Sequence, residues 1–266
     1  MADRAHSARI YDYYLGGKTN YAADRAVAEG AMRLFPAARI TTRANRAFMH
    51  RVVHHLATDH GIRQFLDIGT GIPTRPNLHE IAQSVSLDAR VVYVDNDPTV
   101  LAHARALLVG RRRGTTGYIE GDLRTPESIT GSPELRKVLD LDRPIALTMI
   151  AVLHYVEDDD AAHAATRQLV DLLPPGSFLA LSACTADFDP ETGVAVTERY
   201  RSSGVPLRLR SRAEIATFLT GLHLLAPGIT QVHKWRPDQG GLGVGLESRT
   251  VTDRDVPAYG GVAEKH

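Results

Sequence analysis

The chain has 266 residues, 43% of them hydrophobic and 23% charged, which excludes a disordered or fibrous protein. Its 31 Lys and Arg offset 31 Asp and Glu, so the formal charge is zero. A nucleic-acid binder or a protein held on an acidic membrane needs surplus cations, so neither partner is expected.

Cys184 is the only cysteine, which excludes an intramolecular disulfide and a cysteine-based zinc site. Residues 1–14 carry no apolar signal core, and the strongest apolar run, 145–153, is too short to span a bilayer. The expected location is cytoplasmic. Only Lys18, Lys137, Lys234 and Lys265 are lysines among the basic residues, a skew that suggests a GC-rich bacterial genome. Composition leaves the oligomeric state open.

Residues 1–40 are polar and aromatic without clean periodicity. Thr41 or Thr42 can cap a helix running to about His60, with Phe48, Val52 and Leu56 on one face and Gly61 ending it. Segments 1–60 therefore read as an N-terminal lid and helix, and 61–266 as a ligand-binding domain, within one compact unit. After Gly61 the pattern becomes strand–turn–helix. Strands are expected at 64–68, 90–95, 116–120, 144–153 and 177–182, with helices at 76–85, 98–108 and 158–173. That alternation predicts an α/β fold with a parallel sheet covered on both faces. Ser211 and Glu214 form a capping-box pattern for a helix ending near Gly221. Segments 222–226 and 242–247 then read as a terminal antiparallel hairpin.

Ligands of such sheets bind beyond the carboxyl ends of the strands. Three ends carry notable residues. Gly69 and Gly71, flanking Thr70 after Asp67, permit a tight turn and close backbone approach to a ligand. Asp95, followed by Asn96, can accept two hydrogen bonds from a ribose diol, whereas Asp97 before Pro98 is better read as a helix cap. Asp122 can accept from an exocyclic adenine amine while the Leu123 N–H meets a ring nitrogen. Asp67, Asp95 and Asp122 are 28 and 27 residues apart, one βα unit each, which sets them side by side at one sheet edge.

In this order DIGTGIP, VDNDP and GDL resemble the cofactor motifs of class I S-adenosylmethionine (SAM)-dependent methyltransferases. RIYDYYLGGKTNYAADR at 9–25, TTRANRAFMHR at 41–51, AVLHYV and WRP at 235–237 resemble a narrower group, the actinobacterial DUF574 or S-adenosyl methyltransferase family. The resemblance implies a Rossmann-like fold with a seven-stranded, mostly parallel sheet and an antiparallel C-terminal hairpin. It also implies SAM as cofactor, but no defined substrate. Pro73 departs from the general pattern, in which a third glycine is common, and it stiffens the loop.

On this reading Gly69, Thr70 and Gly71 contact the methionine end of SAM, Asp95 the ribose, and Asp122 and Leu123 the adenine. Tyr14, Gly17, Arg46, Asp67, Asn96 and Ala151 complete the expected cofactor set, with Arg46 on the carboxylate and Gly16-Gly17 as the hinge of a tyrosine-rich lid. His154 is the candidate base and Tyr155 lines the acceptor pocket. Three acidic residues at one cleft suit a cationic sulfonium better than a pyrophosphate. His50 and His54 lack a third ligand, so no metal is expected. Arg111, Arg112 and Arg113 read as a solvated loop. The expected activity is methyl transfer to a small-molecule acceptor. The alternatives are a SAM-binding regulatory module and a non-methylating cyclase on the same fold.

Overall fold

The computed structural model describes residues 4–107, 115–237 and 251–266. Arg111–113 and the expected strand at 242–247 lie outside the described residues.

Three helices come first: α1 (Ser7–Leu15), α2 (Ala22–Leu34) and α3 (Ala38–Asp59). The alternating segment follows as β1 (Gln64–Ile68), α4 (Leu78–Val85), β2 (Arg90–Asp95), α5 (Pro98–Leu107) and β3 (Thr116–Glu120). Next come α6 (Glu127–Thr130), α7 (Pro133–Val138), β4 (Ala146–Ile150), α8 (Asp159–Asp171) and β5 (Phe178–Cys184). The chain then forms α9 (Pro190–Arg201), α10 (Arg212–Thr217), β6 (His223–Leu224), β7 (Thr230–Gln231) and β8 (Ala258–Glu264).

The strands form one sheet in the order β3-β2-β1-β4-β5-β8-β6, with β7 also paired to β8. β1 to β5 pair in parallel, and β8 runs antiparallel to β5, β6 and β7. This is the class I methyltransferase topology, mostly parallel with antiparallel C-terminal strands. The inner parallel strands, β1, β2, β4 and β5, are buried almost throughout because both faces are covered, whereas the edge strand β3 alternates. Leu66, Val92 and Leu147 pack into one core with α7 and α8, while Phe65, Val91 and Tyr93 pack into another with α3 and α4.

Two expectations need correction. The antiparallel partner of β5 comes from 258–264, a segment whose glycines hide its strand character. A Cβ on Gly260 would sit 2.6 Å from Cζ of Phe48, so glycine is what lets α3 press onto the sheet there. Thr41 and Thr42 are not caps either: α3 starts at Ala38, the Thr42 hydroxyl donates back to the Ala38 carbonyl one turn earlier, and the Thr41 hydroxyl donates to the Asp255 carbonyl at 2.8 Å.

The first forty residues are more ordered than their pattern suggests. α1 and α2 pack with α9 in a separate cluster of Ile10, Tyr14, Val27, Ala31, Tyr200 and Leu207. This cap is pinned by buried Arg9, whose Nε donates to Asp24 at 3.0 Å and whose Nη1 donates to Asp97 at 2.6 Å. Asp97 thus joins the cap to the end of β2, besides accepting the Thr99 N–H at 2.9 Å as a helix cap.

Candidate active site

A cavity of about 460 Å³ opens at the carboxyl ends of β1, β2, β3 and β4, bounded on its far side by residues 4–11 and 204–206. That size suits a nucleoside-sized ligand. Arg46, Asp67, Gly69, Thr70, Gly71, Asp95, Asn96, Asp122, Leu123, Ala151 and Tyr155 all line it.

The glycine loop is held from below. Gly69 and Thr70 donate their N–H groups to the Val94 carbonyl at 2.9 and 3.1 Å, and Gly71 donates to Oδ2 of Asp95 at 2.8 Å. Gly69 has φ 73°, and a Cβ there would lie 2.6 Å from Cγ2 of Val152, so the turn demands glycine. Oδ1 of Asp95 accepts the Asp97 N–H at 2.9 Å. Each oxygen of Asp95 still has a lone pair for a ligand hydroxyl. Burial raises the pKa of Asp95 and of Asp67, and Asp67 accepts from Oγ1 of Thr148 at 2.6 Å.

Asp122 is engaged differently. Partial burial opposes its ionisation, but hydrogen bonds from Arg124 and Asn96 bring its pKa down to about 2. Arg4, Arg9, Arg46 and Arg124 line the same cavity as Asp67, Asp95, Asp97 and Asp122. The cleft is therefore a balanced set of opposite charges, not the acidic pocket expected from the three aspartates alone.

Arg46 carries the clearest sign of a missing partner. Its Nη2 donates to the carbonyls of Thr74 and Pro76, the latter at 2.8 Å, while its buried Nε has no hydrogen bond. Burial lowers its pKa. A buried guanidinium N–H without an acceptor costs free energy that a carboxylate ligand would recover.

Residues 1–266 match the family model described as S-adenosyl methyltransferase. The chain belongs to the S-adenosyl methyltransferase family. It is 51% identical to a DUF574 family protein from Streptomyces avermitilis, covering 100% of this chain and 99% of that one at a TM-score of 0.93. It is 35% identical to a proposed methyltransferase from Thermobifida fusca, covering 99% and 96% at a TM-score of 0.88. The plantazolicin methyltransferase BamL shares the fold at 10% identity, covering 97% and 96% with a TM-score of 0.55. No curated protein matches the chain. No helix among the described residues is long and apolar enough to cross a membrane.

Three expected site residues of this family member fall outside the main cleft. Gly17 does not line that cleft; its position lets Asp12 approach, since a Cβ there would lie 2.0 Å from Oδ1 of Asp12. Tyr14 and His154 line a second cavity of about 70 Å³, which shares Tyr11, Ala151 and Tyr155 with the cleft. Nδ1 of His154 accepts the Cys184 N–H at 3.3 Å, and burial together with Arg210 lowers its pKa to about 3. An imidazole so depressed is a poor proton acceptor at neutral pH.

Ala151, expected at the site, is held by residues the sequence did not single out. Ala151 directly follows β4 with φ 56°, and its N–H donates to Oγ of Ser182 at 3.0 Å. That hydroxyl donates to Oδ1 of Asn45 at 2.6 Å, and Nδ2 of Asn45 donates to the Tyr11 hydroxyl at 3.0 Å. The chain of hydrogen bonds joins the cap to the end of β4 and holds a left-handed non-glycine residue, a conformation kept only where its surroundings enforce it. Asn45 and Ser182 are 137 residues apart, so no local motif announces the pair.

Proposed function

We propose that the protein is a SAM-dependent methyltransferase acting on a small-molecule acceptor. The observation that carries this reading is the unpartnered Nε of Arg46 at a cleft beyond the strand ends, beside a glycine loop and Asp95.

When bound, SAM supplies an electrophilic methyl group on a sulfonium. Arg46 would hold the amino-acid carboxylate, and Asp95 would accept from the ribose hydroxyls. Asn96, Asp122 and Leu123 would line the adenine, with the Leu123 N–H as donor. Because Asp122 is already paired to Arg124, its part in adenine recognition would be shared with that arginine. Asp67, Gly69, Thr70 and Gly71 would shape the floor beneath the methionine portion. Ala151 and Tyr155 would face the acceptor side. Alignment at contact distance, with water excluded by the cap, supplies much of the acceleration of such a displacement.

Calorimetry with SAM, S-adenosylhomocysteine and NAD tests the reading. Both sulfur ligands should bind and NAD should not. Asp95→Asn should weaken SAM by about tenfold, the difference between a charged and a neutral acceptor. Absence of binding by both sulfur ligands refutes the proposal. Transfer of label from methyl-labelled SAM into a metabolite extract then separates an enzyme from a regulatory module.

A further inference from the structure

The second cavity runs inward from the cleft between α1, α3, β5 and α9, and about 70 Å³ admits a few heavy atoms rather than a whole metabolite. Its polar groups can be counted. Nδ1 of His154 is occupied by the Cys184 N–H, so the proton of the neutral ring resides on Nε2, which has no hydrogen-bond partner among the described residues. Tyr14 and Tyr200 share one hydrogen bond at 3.0 Å, and two hydroxyls hold two protons, so one O–H is left to donate. The Tyr155 hydroxyl has no partner among the described residues either.

The remaining polar atoms are already paired. Asn45 and Ser182 serve the chain that ends at Ala151, and the Tyr11 hydroxyl donates to the Thr42 carbonyl at 3.2 Å. The cavity thus offers three unpaired donors to an acceptor atom: the His154 Nε2–H, the Tyr155 O–H and one O–H of the Tyr14–Tyr200 pair. Among the described residues no charged side chain lines it. Burial lowers the pKa of His154 to about 3 and raises that of Cys184 to about 12, so both are neutral near pH 7. A cationic group would find only neutral hydroxyl oxygens to accept from it, with no carboxylate to offset its charge. An anion would be buried without a countercharge.

We propose that this cavity is the acceptor subsite and takes an uncharged oxygen group, a hydroxyl or carbonyl, held by His154 Nε2–H, Tyr155 and the Tyr14–Tyr200 pair. It rests on the reading of the main cleft as the SAM site, which the cavity adjoins through Tyr11, Ala151 and Tyr155. His154 becomes a donor that positions the acceptor, and Tyr14 and Tyr200 limit the size of the group admitted.

The test uses three nearly isosteric probes on the full-length protein saturated with S-adenosylhomocysteine. Acetamide is neutral, acetamidinium cationic and acetate anionic. Binding is followed by NMR at the Cys184 amide and the His154 ring. Acetamide should saturate at millimolar concentration and shift both signals, with the charged probes at least about tenfold weaker, the equivalent of one charged group left unbalanced. Tyr14→Phe and Tyr200→Phe each leave one O–H in place and should stay within about twofold of wild type, whereas the double variant should lose about fivefold, one neutral hydrogen bond. S-adenosylhomocysteine affinity should be the same in all four proteins. Equal binding of a charged probe, or full loss of acetamide binding in either single variant, overturns the proposal. So does acetamide leaving both signals unmoved. Failure of wild type to bind S-adenosylhomocysteine refutes the reading of the main cleft instead, and acetamide titration of the unsaturated protein then decides the cavity alone.

Discussion

Replacing Arg46 by Met keeps the aliphatic stem and deletes the charge, so it isolates what the guanidinium contributes. Two effects should separate. The carbonyls of Thr74 and Pro76 lose their donor. Each such bond is worth about 1 kcal/mol, less where water can replace the donor, so a drop of a few degrees in Tm is expected. The second effect concerns ligands. A hydrogen bond from a charged donor to a carboxylate is worth about 1.5–3 kcal/mol, which at about 1.4 kcal/mol per tenfold weakens SAM by roughly 10- to 150-fold. S-adenosylhomocysteine carries the same carboxylate and should weaken equally. 5′-Methylthioadenosine lacks the amino-acid portion and should bind the variant as it binds wild type. Isothermal calorimetry with the three ligands measures all of this. If methylthioadenosine loses as much as SAM, Arg46 acts by shaping the loop at Thr74 and Pro76, and the carboxylate assignment is wrong.

Two other perturbations probe the frame around the cleft. His50 and His154 are both buried, with pKa values lowered to about 4 and about 3 against an ordinary 6.5. The unfolded chain therefore binds more protons below pH 6.5, and each histidine should cost about 1.4 kcal/mol per pH unit as pH falls toward its folded pKa. Both ring nitrogens of His50 lack partners, so His50→Met should raise Tm and make the acid decline shallower, as read by urea unfolding from pH 7 to 4. An unchanged slope would refute this. Arg9→Met leaves the buried Asp24 and Asp97 without their cation, a loss of about 3–5 kcal/mol. Limited proteolysis before residue 37 should accelerate, and undiminished protection would show that the cap does not depend on the pair.

How much could be read from the residues alone divides along a physical line. The bounds of β1, β2 and β3 coincide with those expected: β1 and β2 are buried on both faces, β3 alternates buried and half-buried positions at the sheet edge, and each ends in a turn signal. Asp67, Asp95 and Asp122 reach one cleft because a βα unit has a nearly fixed length. α1 was invisible because its buried side includes Arg9 and Asp12, polar residues whose partners come from elsewhere in the chain and which erase the apolar stripe. The charge balance of the cleft was hidden for the same reason. Arg4 and Arg9 arrive from the cap, and Arg124 turns back on Asp122. His154 was placed on the correct strand end, but which of two adjoining cavities it enters depends on β5, whose Cys184 N–H claims its Nδ1.

The position of β8 bears on how the protein is made. It is synthesised after β5, β6 and β7, yet it pairs with all three at once. Until residues 258–264 leave the ribosome, β5 presents an unpaired edge of mostly buried-type residues, Phe178 to Ala183. Nascent chains with such an edge invite pairing with one another, so this protein's exposure to chaperones should be greatest between the synthesis of β5 and that of β8. The strand that closes the sheet also ends that exposure, and Lys265, just beyond it, ties the closure down by donating to the carbonyls of Val170 and Leu173 at 2.9 and 2.7 Å.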